Sequence, residues 1–147
     1  MITINSSGGP ENKDALNGQL LELINSTTDQ LNIITPKIDR FYTTELKKLT
    51  QKGIPVLFIT KDRRLQISSY QPFYDEIKAT PGVNVINNPN VRFLLLFNSE
   101  MAIYSGGSLD KDELERSILI TTTIKEHAKL RKIAEIFSKM LPSFMRK

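Results

Sequence analysis

Leu16, Leu20, Leu21 and Ile24 fall three to four residues apart and predict an amphipathic helix, with Asp14 placed to cap its start. Leu31, Ile33 and Ile34 then make a short apolar run that Pro36 closes, which has the length of a strand. Helical spacing returns at Phe41, Tyr42, Leu46 and Leu49, and Gly53 is placed to end that helix. Residues 54–60 are almost continuously apolar, β-branched or aromatic, as in a strand buried on both faces of a parallel sheet. Helix and strand alternating over short connections imply right-handed crossovers. Past this strand, residues 61–64 are polar; Pro72 opens a third helix carrying Phe73, Tyr74 and Ile77, and Pro81-Gly82 ends it.

The second half has a different rhythm. Residues 83–86, 91–97, 101–105 and 117–122 read as four strands, separated by turn signals at 87–90, Asn98-Ser99 and Gly106-Gly107. A last helix is expected over 124–140, with Ile124, Ala128, Leu130, Ile133, Ile136, Phe137 and Met140 on its apolar side, and Pro142 stops it. Residues 1–13 are polar and read as a flexible lead-in or a short edge strand, ahead of a single domain over 14–147. The pattern as a whole predicts an α/β fold with a mixed, largely parallel sheet flanked by helices.

Composition narrows the chemistry. The 147 residues suffice for one domain with its own core, and 39% apolar and 24% charged residues are ordinary globular values. The absence of cysteine excludes disulfides, thiolate metal sites and a cysteine nucleophile. No carboxylate cluster has metal-ligand spacing, and neither a metal nor another cofactor is expected. No apolar run reaches the length of a membrane span and residues 1–10 lack signal-peptide character, so the expectation is a soluble cytoplasmic protein. The net charge of +4 is uneven: Lys125, Lys129, Arg131, Lys132, Lys139, Arg146 and Lys147 give residues 125–147 about +5, leaving about −1 elsewhere. Such a segment attracts nucleic acid or another acidic partner, or is the solvated face of a surface helix.

Several passages resemble one half of the phospholipase D superfamily, in order, between Leu16 and Leu141. Ile33-Ile-Thr-Pro36 is similar to the family's first strand, and Lys52-Gly-Ile-Pro-Val-Leu-Phe-Ile-Thr60 to its Lys-Gly-Val-x-Val strand. Pro81-Gly-Val-Asn-Val85 is similar to the strand before the catalytic one, and residues 93–109 have the rhythm of the catalytic strand, hairpin and Gly-Ser turn. The resemblance implies a phospholipase D-like half domain that pairs as a homodimer, with the strand–turn region at 90–108 facing its symmetry mate.

The family signature is His-x-Lys, four residues, Asp, then a Gly-Ser-x-Asn turn. One register places Asn90, Arg92 and Phe97 at the three signature positions, with Ser105, Gly106, Gly107 and Ser108 on the turn. A shifted register puts Gly107-Ser108-Leu109-Asp110 on the turn and Phe93, Leu95 and Glu100 at the signature. Neither recovers the histidine that, in active members, attacks phosphorus while its counterpart in the second half protonates the leaving group. Arg92 retains the ability to hold a phosphate through charge-assisted hydrogen bonds. His127-Ala-Lys129 spells His-x-Lys, but residues two apart diverge by about 200° on a helix, which is the expected setting here.

Further candidates are the Gly106-Gly107-Ser108 backbone as an anion contact, and Lys61, Arg63 and Arg64 just beyond a parallel strand, at the edge where open α/β sheets bind ligands. Glu115 has the alternatives of a partner for Arg92 or a member of an exposed charged run. Lys125, Lys129, Arg131 and Lys132 are candidate nucleic-acid contacts. Three functions follow as alternatives: a catalytically inactive module binding nucleic acid or a phosphate-bearing ligand, with a regulatory role as one option for it; a protein-interaction module without phosphate binding; and a homodimeric phosphodiesterase or nuclease.

Overall fold

A computed structural model describes residues 1–145; Arg146 and Lys147, counted above in the basic segment, lie outside the described residues. Among the described residues, seven strands form one sheet: β1 (Ile2–Ser7), β2 (Leu31–Ile34), β3 (Val56–Thr60), β4 (Val83–Asn87), β5 (Leu94–Phe97), β6 (Ala102–Ser105) and β7 (Leu119–Ile124). Their order across the sheet is β1-β7-β6-β5-β2-β3-β4. Parallel pairing is confined to β2–β3 and β3–β4, and every other neighbouring pair is antiparallel. The cause is in the connections: helices join the parallel strands, whereas Asn98 turns β5 directly into β6, its Oδ1 accepting from the N–H groups of Glu100 and Met101.

The helices are α1 (Ala15–Ser26), α2 (Arg40–Gln51), α3 (Gln71–Lys78), α4 (Lys111–Arg116) and α5 (His127–Lys139). The first four pack on one face of the sheet, where Leu16, Leu20, Tyr42, Leu46, Ile77 and Leu114 close over Leu31, Ile33, Phe58 and Leu96. The opposite face carries α5, whose Leu130 and Phe137 cover Ile34, Ile59, Leu95 and Phe97. Phe97 and Phe137 meet edge to face, ring centroids 5.1 Å apart.

Several boundaries differ from the sequence expectation. Of the two alternatives for residues 1–13, residues 2–7 take the edge strand, held by Ser7, whose buried Oγ accepts from the Leu16 N–H at 2.9 Å. Asp14 stands at the start of α1 but its side chain caps nothing, so Ser7 satisfies that helix end instead. Gly53 ends α2 as expected, with φ +85°. Ile124 belongs to β7, paired with Ile2 and Ala102, and α5 begins only at His127. Ala128 and Ile136 of the expected apolar side are exposed. β5 starts at Leu94 rather than at 91, because the chain at 88–93 turns before it joins the ladder. The helix α4 was not anticipated: its six residues are nearly all charged, and Leu114 alone is buried.

Candidate functional site at the sheet edge

The C-terminal ends of β2, β3 and β4 share an edge with the start of β5 and the end of β6, since Ile34 pairs with Leu95 and Leu94 with Ser105. Two loops are knitted together there. Thr35 Oγ1 accepts from the Leu109 N–H at 2.9 Å, Asp39 N–H donates to the Leu109 carbonyl at 3.1 Å, and Ile38 bridges Leu109. Asp39 caps α2 by accepting from Tyr42 N–H at 2.9 Å and uses its other oxygen on Lys111 N–H at 2.7 Å. Asp110 caps α4 through Glu113 N–H at 3.1 Å, and its second oxygen accepts from the Tyr70 hydroxyl. Asp39, Arg40, Phe41, Tyr70, Phe73 and Asp110 thereby wall an open cleft of about 660 Å³.

The electrostatics of this cleft follow from its packing. Burial holds the Asp39 carboxyl above its ordinary range, and the charges of Asp110 and Asp112 add to the effect, against the stabilising N–H donors of Tyr42 and Lys111. The Tyr70 phenol is raised chiefly by its hydrogen bond to Asp110, so it stays a protonated donor. Lys37 lies 4.8 Å from the Tyr70 ring centre and 3.6 Å from Glu113. A phosphate entering this cleft would meet carboxylate charge.

The residues singled out from sequence fall into two groups. Lys61, Arg63, Arg64, Gly106, Gly107 and Ser108 lie at this edge, with Gln66 tying its loop down through bonds to the Pro36 and Lys61 carbonyls, both 3.0 Å. Arg63 pairs with Asp75 at 2.9 Å and Arg64 with Asp62 at 3.6 Å. Ser105 and Ser108 are 1% and 4% exposed, so a ligand at the turn meets the Gly106-Gly107 backbone rather than these hydroxyls. The Ser105 hydroxyl is buried with no hydrogen-bond partner among the described residues. Gly107 has φ +83°, and a Cβ there would lie 3.1 Å from Leu114.

Lys125, Lys129, Arg131 and Lys132 stand elsewhere. The antiparallel run of β7 carries its C-terminal end to the opposite sheet edge, where α5 begins. His127 and Arg131 line a groove there with Asp29, Gln30, Asn98 and Ser99. The start of α5 and the Lys61–Gly106 edge thus lie at opposite ends of the strands. Lys132 pairs with Glu135 at 3.6 Å, whereas Lys125, Lys129 and Arg131 form no ion pair among the described residues.

This order of strands and helices matches solved structures over nearly the whole chain. Nuc from Salmonella typhimurium, a phospholipase D family member, superimposes with TM-score 0.79 at 12% identity, covering 95% of this chain and 94% of that one. The chain has a phospholipase D-like fold. NucT from Helicobacter pylori shares the phospholipase D-like architecture, with TM-score 0.77 at 14% identity over 95% of this chain and 96% of that one. TrmBL2, an archaeal chromatin protein described as having a novel mode of DNA binding, matches with TM-score 0.61 at 12% identity over 94% of this chain and 50% of that one. No family sequence model matches the chain, and no curated protein sequence does.

Placed on the phospholipase D-like fold, the two signature registers differ in geometry. Asn90 and Arg92 both precede β5; Arg92 is exposed and donates to the Pro89 and Val91 carbonyls at 3.1 and 3.3 Å. Phe93 and Leu95 lie two apart on the α5 side of the sheet, Phe93 against Tyr104 at 5.5 Å and Leu95 8% exposed. Glu100 is exposed in the hairpin turn. Glu115 pairs with Lys111 at 3.0 Å instead of Arg92. His127 is an exposed first residue of α5, so His127-Ala-Lys129 is helical. No described helix is long and apolar enough to cross a membrane.

Sequence reasoning missed Asp39 and Tyr70, and named Asp110 only as a turn residue of the shifted register. Asp110 with Glu113 three residues on is a helix-start pattern legible in the chain. Nothing local announces Tyr70, which lies 40 positions from its partner.

Proposed function

We propose that this chain is a non-catalytic phospholipase D-like module that binds nucleic acid as a homodimer. The observation that carries this reading is the chemistry of β5 and the turn before it. In either register the signature histidine is replaced by a side chain, Asn90 or Phe93, that can neither attack phosphorus nor exchange a proton. The sole histidine sits on the surface of α5, where its ring and Lys129 diverge.

Binding is supported by the unpaired cations Lys125, Lys129 and Arg131, with Lys132 beside them. The ion pairs of Arg63 and Arg64 are exposed and weak, so a phosphate can compete for those guanidinium groups. Arg92 and the Gly106-Gly107 backbone add donors. These contacts sit at opposite sheet edges, so a single phosphate reaches one group at a time while an extended polyanion reaches both. The DNA binding named for TrmBL2 agrees with this reading.

The test is a gel-retardation and cleavage assay with labelled single- and double-stranded oligonucleotides at stoichiometric protein. Retardation of intact oligonucleotide is the expected result. Cleavage that disappears in His127→Ala would restore the nuclease reading. Neither retardation nor cleavage would favour the protein-interaction reading, for which the exposed side chains of Ile4, Tyr104 and Ile120 are the specific support.

A further inference from the structure

A pocket between α1 and the β1–β7 edge shares no residue with the Asp39–Asp110 cleft. Cross-strand register sets Thr3 of β1 beside Thr123 of β7, and Thr123 beside Ile103 of β6. Ile103 belongs to the core beneath α1–α4, so this row faces the helices, on the side of the sheet away from α5. Asn5, two residues on from Thr3, shares that face. Helix α1 supplies the other wall. Its Leu16, Leu20 and Leu23 are buried in the core, which leaves Gln19 and Glu22, one turn apart, on its flank. Lys125 joins them where β7 ends, and the space they line is about 230 Å³.

Four uncharged polar side chains meet here without partners. Thr3, Asn5, Gln19 and Thr123 make no side-chain hydrogen bond among the described residues. Thr3 and Asn5 are exposed and have water as a partner, but the Gln19 Oε1 is buried and accepts from nothing. A buried acceptor without a donor lowers the stability of the free protein. Glu22 and Lys125 are exposed, and neither forms an ion pair among the described residues. One negative and one positive charge therefore stand beside the same pocket, and neither neutralises the other.

We propose that this pocket binds a small zwitterion of the α-amino acid class. Charge and size select it together. A simple anion would face Glu22 and a simple cation would face Lys125, whereas an ammonium and a carboxylate on one molecule meet both. An apolar ligand would leave four polar side chains unpaired. The volume equals that of about seven waters in the liquid, below the ~300 Å³ at which sites for drug-sized ligands begin, and it suits one free amino acid. The terminal torsion of glutamine is soft, so the Gln19 amide turns to accept from an N–H or O–H of the ligand. The site stands whether or not the chain binds nucleic acid.

Titration of the isotopically labelled chain with L-serine and with L-glutamine, followed through backbone amide NMR shifts, tests the site. Saturable shifts at Thr3, Asn5, Gln19 and Thr123 are expected, with dissociation constants of about 1 mM or below. Acetate, ethylammonium and glycerol, which lack one or both of the charges, should bind at least ~10-fold more weakly. Gln19→Leu should weaken L-serine at least ~5-fold while holding or raising the melting temperature, because it removes an unpaired buried acceptor. Glu22→Gln, at an exposed position, should weaken it by a similar factor. The absence of saturable shifts at these residues with either amino acid would overturn the proposal. So would equal affinity for acetate, ethylammonium or glycerol, or undiminished binding in either variant.

Discussion

Asp39 and Asp110 each do two jobs with one carboxylate. Each caps a helix with one oxygen, and with the other it reaches a different part of the chain: Asp39 the Lys111 N–H, Asp110 the Tyr70 hydroxyl. Asp110→Ala removes a cap and leaves a tyrosine donor unpaired, so a loss of about 2–3 kcal/mol in urea unfolding is expected. Tyr70→Phe should cost about 1 kcal/mol, and the double variant should cost less than the sum. Asp39 adds a pH signature. Its carboxyl binds a proton more tightly in the folded chain, so the stability it contributes is fully present below the ordinary value of 3.8 and is lost as pH rises through the raised folded value. Stability of the unmodified chain relative to Asp39→Asn should therefore be greatest at acid pH and decline towards neutrality; a difference that grows with pH would contradict the burial argument. The caps were readable in part, since Asp110 precedes Glu113 at capping-box spacing, but the partners across the edge were not, because local spacing carries no information on contacts 40 or 72 positions away.

Elements were legible in proportion to how much periodic pattern they contain. α1, α2 and β3 announce themselves through long apolar repeats, and Gly53 and Pro81-Gly82 fall where helices end. α4 did not, because six residues with Leu114 alone buried supply no period. The start of α5 was misplaced because Ile124 fits the helix's apolar spacing equally well, and only its pairing with Ile2 and Ala102 assigns it to β7. The anchoring of α5 is concentrated in Phe137 against Phe97. Phe137→Ala should cost about 3–5 kcal/mol in urea unfolding. Gly107→Ala forces a left-handed backbone position on a side chain that also presses on Leu114, and about 1–3 kcal/mol is expected. Thermal denaturation ranks the two, and an unchanged melting temperature for Gly107→Ala would show that the turn relaxes freely.

At the scale of the molecule, the mixed sheet decides how the candidate contacts are used. Because β7 runs antiparallel to its neighbours, the basic start of α5 and the Lys61–Gly106 edge emerge on opposite sides of the sheet. The residue types were visible in the sequence, but their separation was not, since it depends on strand direction. The proposed nucleic-acid binding therefore requires a ligand long enough to reach both groups, which a salt titration can measure. The most direct measurement is fluorescence anisotropy of a labelled duplex titrated across a salt series. Binding is expected to weaken linearly on a log–log plot, with a slope of about −3 for each chain engaged, reduced in magnitude by about two per chain in Lys129→Glu/Arg131→Glu. Absence of binding at ~50 mM salt, or binding that salt and this variant leave unchanged, would contradict the account.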